Sequence, residues 1–217
     1  MRRKGNLITI EGGDGSGKTV QTELLVKALQ EKGVVTRFDF PRYEKSIYGK
    51  LLKELLVGKH GDFLSLSPYV ACLPFALDRV GASQDIKEAL QKGHVICNRY
   101  TPSNIGHQCA KLPNEEWSKL AAFIEQGEYG ELGVLPPDFV IYLYVPAEIA
   151  ATLIRGDDGV HDQHEKNLEY QEAVGCVYRE FSQRRDNWAL IDCAPHGKLL
   201  LSEDIHQEVM NALRVVL

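Results

Sequence analysis

The chain has 217 residues, of which 44% are hydrophobic and 25% are charged, and its formal net charge is −5. This length and composition predict a single globular domain over residues 1–217. The acidic balance gives no reason to expect a nucleic-acid partner. The basic first residues precede an apolar run that is too short for a signal peptide or a membrane span, so we expect no membrane partner.

The cysteines are five in number, scattered along the chain, and without a Cys-x-x-Cys pair. This pattern favours buried free thiols over disulfides or a zinc site. Such thiols are typical of a reducing compartment, and we therefore expect the protein to be cytoplasmic.

The first predicted elements are a short buried strand over 7–10 and a helix over 20–29, with a glycine-rich loop between them. The loop matches the phosphate-binding pattern of Gly, four free positions and Gly-Lys-Thr, and the residues predicted to bind ATP are Gly12, Gly13, Asp14, Gly15, Ser16, Gly17, Lys18 and Thr19. Glycines let the backbone aim its N–H groups at phosphate oxygens, and the following helix adds its positive dipole end. Lys18 can reach the β- and γ-phosphates, and the Thr19 hydroxyl can bind Mg²⁺.

Two further predicted strands end in polar side chains. The strand over 34–40 is followed by Arg42 and Tyr43, and the strand over 94–97 is followed by Asn98 and Arg99. Ligands of open α/β sheets bind beyond the carboxyl ends of the strands, so we expect these side chains to face the same crevice as the phosphate loop. For Arg42 a solvated surface position is an equally good interpretation.

Amphipathic spacing predicts helices over 46–57, from 67 onward, and over 83–91, 105–111 and 115–126. Pro74 should kink the second of these helices. The segment 127–137 is rich in Gly and Pro and predicts a loop.

A near-continuous apolar run over 138–145 predicts a buried parallel strand, and a helix follows over 147–154. Residues 155–164 are polar and predict a mobile flap, for which a plain surface loop is the alternative. A helix over 165–185, a strand over 188–192 and a closing helix over 204–216 complete the chain. The alternation of strands and helices predicts an α/β fold with a mostly parallel sheet covered on both faces.

Four segments come in the order and spacing found in thymidylate kinases. They are the phosphate loop with Glu11 before it, Phe40-Pro41-Arg42-Tyr43, Phe75-Ala76-Leu77-Asp78-Arg79, and Asn98-Arg99-Tyr100-Thr101-Pro102-Ser103-Asn104. The segment 162–165 resembles the end of the lid of these enzymes. The resemblance runs from about residue 7 to about residue 192.

The resemblance implies a P-loop NTPase fold, a three-layer α/β/α sandwich with a five-stranded sheet and a short lid near 155–164. It implies transfer of the γ-phosphate of ATP to dTMP, with Mg²⁺ as cofactor, ADP and dTDP as products, and a homodimeric assembly. Lys18, Arg42 and Arg99 would supply the positive charge that brings two phosphate groups together.

Site roles also follow from the resemblance. Asp14 resembles the carboxylate that accepts from the 3′-hydroxyl of the sugar, and Phe40, Arg42 and Tyr43 resemble the group around the acceptor phosphate. Phe75 resembles the ring that stacks on thymine, with core packing as the alternative. Arg79 resembles the donor to thymine O4, Asn104 the amide that reads the base edge, and Arg99 the arginine that holds the acceptor phosphate.

Three positions depart from the family's pattern. Asn98 stands where an Asp is usual, so metal binding would be weaker or would shift to Glu11. Gly15 leaves the phosphate loop without an arginine, and Arg155 in the flap becomes the candidate for a charge-stabilising finger. His107 stands where a Tyr is frequent, near the 2′ carbon of the sugar.

Two other functions stay open at this point. The chain could be a kinase of another nucleoside or nucleoside monophosphate, because Asn98 and His107 fall in the acceptor region. It could instead be a nucleotide-binding regulator that has lost efficient transfer. Lys18, Thr19, Arg42, Arg79 and Arg99 are all present, which favours an active enzyme.

Overall fold

A computed structural model describes residues 3–63, 65–154 and 167–217. Its centre is a sheet of five parallel strands, with bounds β1 Leu7–Glu11, β2 Val35–Asp39, β3 His94–Asn98, β4 Phe139–Tyr144 and β5 Trp188–Asp192. The strand order is β2-β3-β1-β4-β5. The predicted parallel α/β sheet is thereby confirmed.

The helices connect the strands and cover both faces of the sheet, as parallel pairing requires. Their bounds are α1 Lys18–Gln30, α2 Ile47–Leu56, α3 Pro68–Val80, α4 Ser83–Leu90, α5 Thr101–Cys109, α6 Trp117–Glu125, α7 Ala147–Ile154, α8 Leu168–Arg184 and α9 Ser202–Ala212. Among the described residues, no helix is long and apolar enough to cross a membrane.

Alternating side chains of the strands divide the core into two layers. Ile8 and Ile10 of β1 pack with Leu25 of α1 and Val209 of α9 on one face. On the other face, helices α5, α6 and α8 pack on β4 and β5 around Tyr178. The central strands β1 and β4 are buried on both faces, whereas the edge strands β2 and β5 are partly exposed.

The order of the strands places the phosphate loop at the centre of one sheet edge. β1 pairs with β3 on one side and with β4 on the other. The connection after β1 runs to β2 on one side of the sheet, and the connection after β3 crosses to β4 on the other side. The loop that follows β1 therefore opens at the point where the strand order reverses, which is where open α/β sheets bind ligands.

One prediction of local structure is wrong. The segment 127–137 is not entirely a loop, because Gln126–Glu131 forms a π-helical turn that continues α6. Helix α3 extends from Pro68 to Val80 with Pro74 inside it. The predicted flap over 155–164 lies outside the described residues.

Candidate active site

The phosphate loop connects β1 directly to α1. Gly12 has φ +156°, and a Cβ there would lie 2.4 Å from Ser16 Oγ and 2.8 Å from the carbonyl oxygen of Leu143. Gly17 caps α1 in the left-handed region, with φ +80°. Both positions therefore need glycine. Lys18 is almost fully buried, and its Nζ donates to the Gly13 carbonyl at 2.6 Å, inside the loop that it would close around a phosphate.

Arg99 and Asp14 form an ion pair at the mouth of the site. Arg99 Nη2 donates to Asp14 Oδ1, and Nη1 donates to Ser103 Oγ at 3.2 Å. The second carboxylate oxygen of Asp14 accepts from Gln171 Nε2 at 2.9 Å. The pair thus joins the phosphate loop to the end of β3 and to helix α8, and it brings together the groups predicted to bind the acceptor sugar and the acceptor phosphate.

The surroundings keep this pair ionised. Burial by itself raises the pKa of the Asp14 carboxyl, but the positive charges of Arg99 and Lys18 outweigh burial and hold that pKa below its ordinary range. Burial by itself lowers the pKa of Arg99. The negative charge of Asp14 and the effect of neighbouring groups outweigh burial, so the pKa of Arg99 is raised. The site therefore holds a fixed positive charge beside a fixed negative one.

Glu11, which was predicted as a possible metal ligand, lies in a buried network of hydrogen bonds. Its side chain is fully buried, and it accepts from Tyr100 N at 2.7 Å, from Ser103 Oγ at 2.5 Å and from Tyr178 OH at 3.0 Å. Burial raises its pKa, although these hydrogen bonds and the charge of Arg99 oppose that effect. Because its oxygens are engaged on the α5 and α8 side of the sheet, Glu11 is not brought to the proposed Mg²⁺ ligands. Instead it fixes the backbone next to Arg99, which has φ +64°.

The other two predicted metal ligands do come together. Asn98 Nδ2 lies 3.4 Å from Thr19 Oγ1 and donates to Asp39 Oδ1 at 3.1 Å, at matched positions of β3 and β2. Asn98 Oδ1 is buried and without a partner among the described residues. A rotation of the amide would exchange this oxygen with Nδ2. Hydroxyl, amide and carboxylate oxygens are what Mg²⁺ prefers, so the residues at this edge fit the ion.

Arg42 is held on the side of the site by Asp78. Its Nε donates to Asp78 Oδ1 at 3.1 Å, its Nη2 to the Asp78 carbonyl at 2.7 Å, and its backbone N–H to Asp78 Oδ2 at 2.8 Å. The guanidinium group is therefore oriented and mostly buried rather than a solvated surface charge, which decides between the two interpretations of Arg42.

A cavity of about 120 Å³ lies between these groups. Its lining includes eight of the nine residues predicted to bind the acceptor: Asp14, Phe40, Tyr43, Phe75, Arg79, Arg99, Asn104 and His107. Arg42, the ninth, is adjacent through Pro41 and Asp78, which also line the cavity. Phe75 is half-buried. It lines the cavity, and its ring also packs edge to face on the buried Phe63 at 5.9 Å, so it takes part in both the cavity wall and the core packing behind it.

His107 links the cavity to helix α8. Arg99 Nη1 lies 3.0 Å from His107 Nε2, and because a guanidinium group only donates, this ring nitrogen accepts. The ring proton is then on Nδ1, which lies 3.1 Å from Tyr170 OH, and that hydroxyl donates to the His107 carbonyl at 2.9 Å. In this arrangement His107 bridges Arg99 and α8.

Sequence reasoning missed several polar residues of this site. Asp39, Asp78, Glu128 and Gln171 each contact a predicted site residue. Asp78 lies inside a recognised motif and Asp39 at a predicted strand end, so their positions offered a signal. Glu128 and Gln171 are far away in the chain and offered none. Arg155 and the lid lie outside the described residues.

Comparisons with known proteins agree with this geometry. The family model for thymidylate kinase matches residues 10–205. The chain is 39% identical over 184 residues to thymidylate kinase of Mycobacterium tuberculosis, covering 81% of this chain and 85% of the relative. It is 32% identical over 212 residues to thymidylate kinase of Plasmodium falciparum, covering 96% and 90%.

A solved structure has the same fold. The structure of thymidylate kinase from Candida albicans superimposes with a TM-score of 0.78 and 23% identity, and the match covers 99% of this chain and 93% of that chain. Together with the match of the family model over most of the sequence, these relatives show that the chain belongs to the thymidylate kinase family.

Proposed function

We propose that this protein transfers the γ-phosphate of ATP to dTMP and releases ADP and dTDP. One observation supports the proposal most strongly: the residues predicted to bind the acceptor line one cavity, and that cavity opens beside the phosphate loop. Lys18 lies at one end of this arrangement and the base-facing residues at the other.

On the phosphate side, the enzyme has to overcome the repulsion between two anionic groups. Phosphoryl transfer needs positioning and charge stabilisation more than covalent chemistry. Lys18 would hold the β- and γ-phosphates, and Arg99 would hold the acceptor phosphate while Asp14 takes the sugar hydroxyl. Mg²⁺, held by Thr19 with Asn98 and Asp39 beside it, would supply further neutralisation of the phosphate charge. Arg42, oriented by Asp78, would complete the cationic wall.

On the base side, Phe75 would stack on the ring and Arg79 and Asn104 would read its edge. Arg79 and Asn104 are buried, with exposed fractions of 2% and 3%. Water is therefore excluded from the groups that discriminate between bases, and an unmatched hydrogen bond there would be costly.

The two alternative functions are less well supported. A kinase of a cytosine or purine acceptor would not need this set of base-facing groups, and a regulator without transfer activity would not need to keep Lys18, Arg42 and Arg99 in one oriented arrangement. Both remain distinguishable by experiment.

We would measure ADP release from ATP and Mg²⁺ across a panel of acceptors: dTMP, dUMP, dCMP, dGMP, AMP, UMP and thymidine. The expected result is a clear preference for dTMP, with turnover lost in a Lys18→Ala control. Turnover with a different acceptor alone would refute the thymine pocket, and no turnover despite ATP binding would support the regulator.

We also propose a homodimer and a cytoplasmic location. Helices α2, α3 and α6 lie side by side and expose Ile47, Val70, Leu73 and Phe123, an apolar surface that a second copy of the chain could cover. All five cysteines are unpaired thiols, which supports a reducing compartment.

A further inference from the structure

Glu128 is a buried acid that the proposed reaction does not use directly. It lies in the π-helical turn Gln126–Glu131 with an exposed fraction of 2%. Its carboxylate accepts from Arg79 Nε at 2.5 Å, Arg79 Nη2 at 2.6 Å, Thr101 Oγ1 at 2.8 Å and Asn104 Nδ2 at 2.9 Å. A single side chain thus binds both residues that would read the base.

These contacts determine which way the Asn104 amide faces. Its nitrogen donates to Glu128 Oε1 at 2.9 Å and to the Cys72 carbonyl at 3.0 Å. Both partners only accept, so the amide cannot be reversed without placing oxygen against oxygen. The Asn104 oxygen is left buried and without a partner among the described residues, in a side chain that lines the cavity.

Arg79 is constrained in the same way. Nε and Nη2 are both engaged by Glu128, and Nη1 has only a long contact, 3.5 Å, with the Tyr100 carbonyl. The guanidinium group also lines the cavity. What remains for a ligand is therefore donor capacity at Arg79 Nη1 and an acceptor at Asn104 Oδ1, on two side chains held by the same carboxylate.

We propose that Glu128 is a positioning residue that sets the hydrogen-bonding polarity of the base pocket. An acceptor beside a donor matches a pyrimidine with a ring N–H next to a carbonyl, as in thymine and uracil. It mismatches cytosine, whose ring nitrogen has no hydrogen and whose neighbouring group is an amine. This inference rests on the proposed function, because it assumes that the base enters this cavity.

The reason that a carboxylate is required is electrostatic as well as geometric. Arg79 is buried, and a buried cation needs an ionised partner to remain in place. A glutamine at position 128 would present one oxygen and one NH₂ group. It could not accept from Arg79 and Asn104 through both of its atoms, so the orientation of the pair would no longer be enforced.

The test is the discrimination between dTMP and dCMP in Glu128→Gln, measured as the ratio of kcat/KM values at saturating ATP and as the ratio of Kd values by calorimetry. We expect the preference for dTMP to fall by about tenfold or more, through KM and Kd rather than kcat, with the KM for ATP unchanged. Glu125→Gln is the matched control, because Glu125 forms a half-exposed ion pair with Arg185 close by in the chain.

A second variant, Thr101→Val, leaves the buried ion pair intact and therefore decides the matter if Glu128→Gln does not fold. It removes one hydrogen bond to Glu128 and should reduce the preference about threefold. An unchanged preference in a folded Glu128→Gln protein, or equal losses for ATP and dTMP, would overturn the inference. A parent protein that does not prefer dTMP over dCMP would overturn the proposed function as well.

Discussion

At the scale of single residues, charge balance at the carboxyl ends of the strands decides what the site can hold. Asn98 is the position where this balance departs from the family's pattern. It donates to Asp39 on the neighbouring strand, so the negative charge at this edge comes from β2 rather than from β3. The side chain at the position where the family usually has an acid is therefore neutral. The acid at this edge is Asp39, which lies beside Asn98 on the neighbouring strand.

Asn98→Asp should make the protein more dependent on Mg²⁺. The change replaces the hydrogen bond to Asp39 by two facing carboxylates, which should cost about 1–2 kcal/mol of stability without metal. Mg²⁺ would relieve that repulsion, so the gain in Tm and in ATP affinity on adding Mg²⁺ should be larger than in the parent protein. Asp39→Asn is the control and should show the opposite trend. An identical Mg²⁺ titration in Asn98→Asp would place Asn98 away from the metal.

Asp14 should contribute to stability in a pH-dependent way. Its pKa in the folded protein is lowered, so its contribution is complete above the unfolded value of about 3.9 and is lost as the pH falls through the folded value. We expect the free energy of unfolding to fall less steeply below about pH 4 in Asp14→Asn than in the parent, measured by denaturant titration. Glu115→Gln, at an exposed position, should follow the parent curve. Parallel curves for Asp14→Asn and the parent would contradict the ion pair.

At the scale of elements, the close approach of α5 and α8 keeps Arg99 in place. Gly106 of α5 lies against the ring of Tyr178 of α8, and the Tyr178 hydroxyl in turn bonds Glu11 and Ser103. Because Gly106 has no side chain, α8 can approach α5 closely. The Tyr178 hydroxyl of α8 can then reach Glu11, the buried acid that supports the loop at the end of β3.

Gly106→Ala should separate these helices. The added Cβ would lie 2.6 Å from Tyr178 Cε2, a contact that requires a shift of the ring. We expect a loss of about 1–3 kcal/mol in the free energy of unfolding, measured by urea titration, together with reduced turnover. Gly127→Ala is the matched control in a helical turn, because a Cβ there meets nothing within 4 Å. Equal stability of the two variants would show that the packing of α5 on α8 is loose.

At the scale of the whole molecule, family membership confirms the predicted fold class and the predicted class of enzyme, an ATP-dependent phosphotransferase of the thymidylate kinase family. The outer surface of α2, α3 and α6 carries exposed apolar side chains, among them Ile47, Val70, Leu73 and Phe123. Tyr69 on α3 meets Phe123 on α6 with ring centroids 5.0 Å apart, so the apolar surface continues from α3 to α6.

Leu73→Glu should convert the proposed dimer to a monomer. Leu73 is 47% exposed on that face, and a carboxylate there would have to be desolvated in an interface between two copies. Sedimentation velocity should show a shift from dimer to monomer, with the fold retained by circular dichroism. Leu201→Glu, at a 70% exposed leucine before α9, should leave the dimer intact. A monomeric parent protein would rule out the assembly.

Local sequence patterns were sufficient for much of this protein. The phosphate loop has a recognisable pattern because Gly12 and Gly17 meet backbone requirements, and Lys18 meets a charge requirement, at fixed spacing. β2 ends at Asp39 and β3 ends at Asn98, each within one residue of its predicted end. Parallel strands bring their ends to one edge, so Asn98 and Arg99 could be assigned to the crevice in advance, while Arg42 kept a surface position as an equal alternative.

What the sequence by itself determined was therefore the fold class, the phosphate-loop pattern and many of the residues that line one cavity beside it. Tertiary structure alone decided how those side chains are held. Glu11 faces the inner helices rather than the metal edge, Asp14 is paired with Arg99, and Glu128 orients Arg79 and Asn104. The reason is physical: a buried charge takes the nearest partner in space, and that partner can be 49 residues away, as between Arg79 and Glu128, where no local pattern records it.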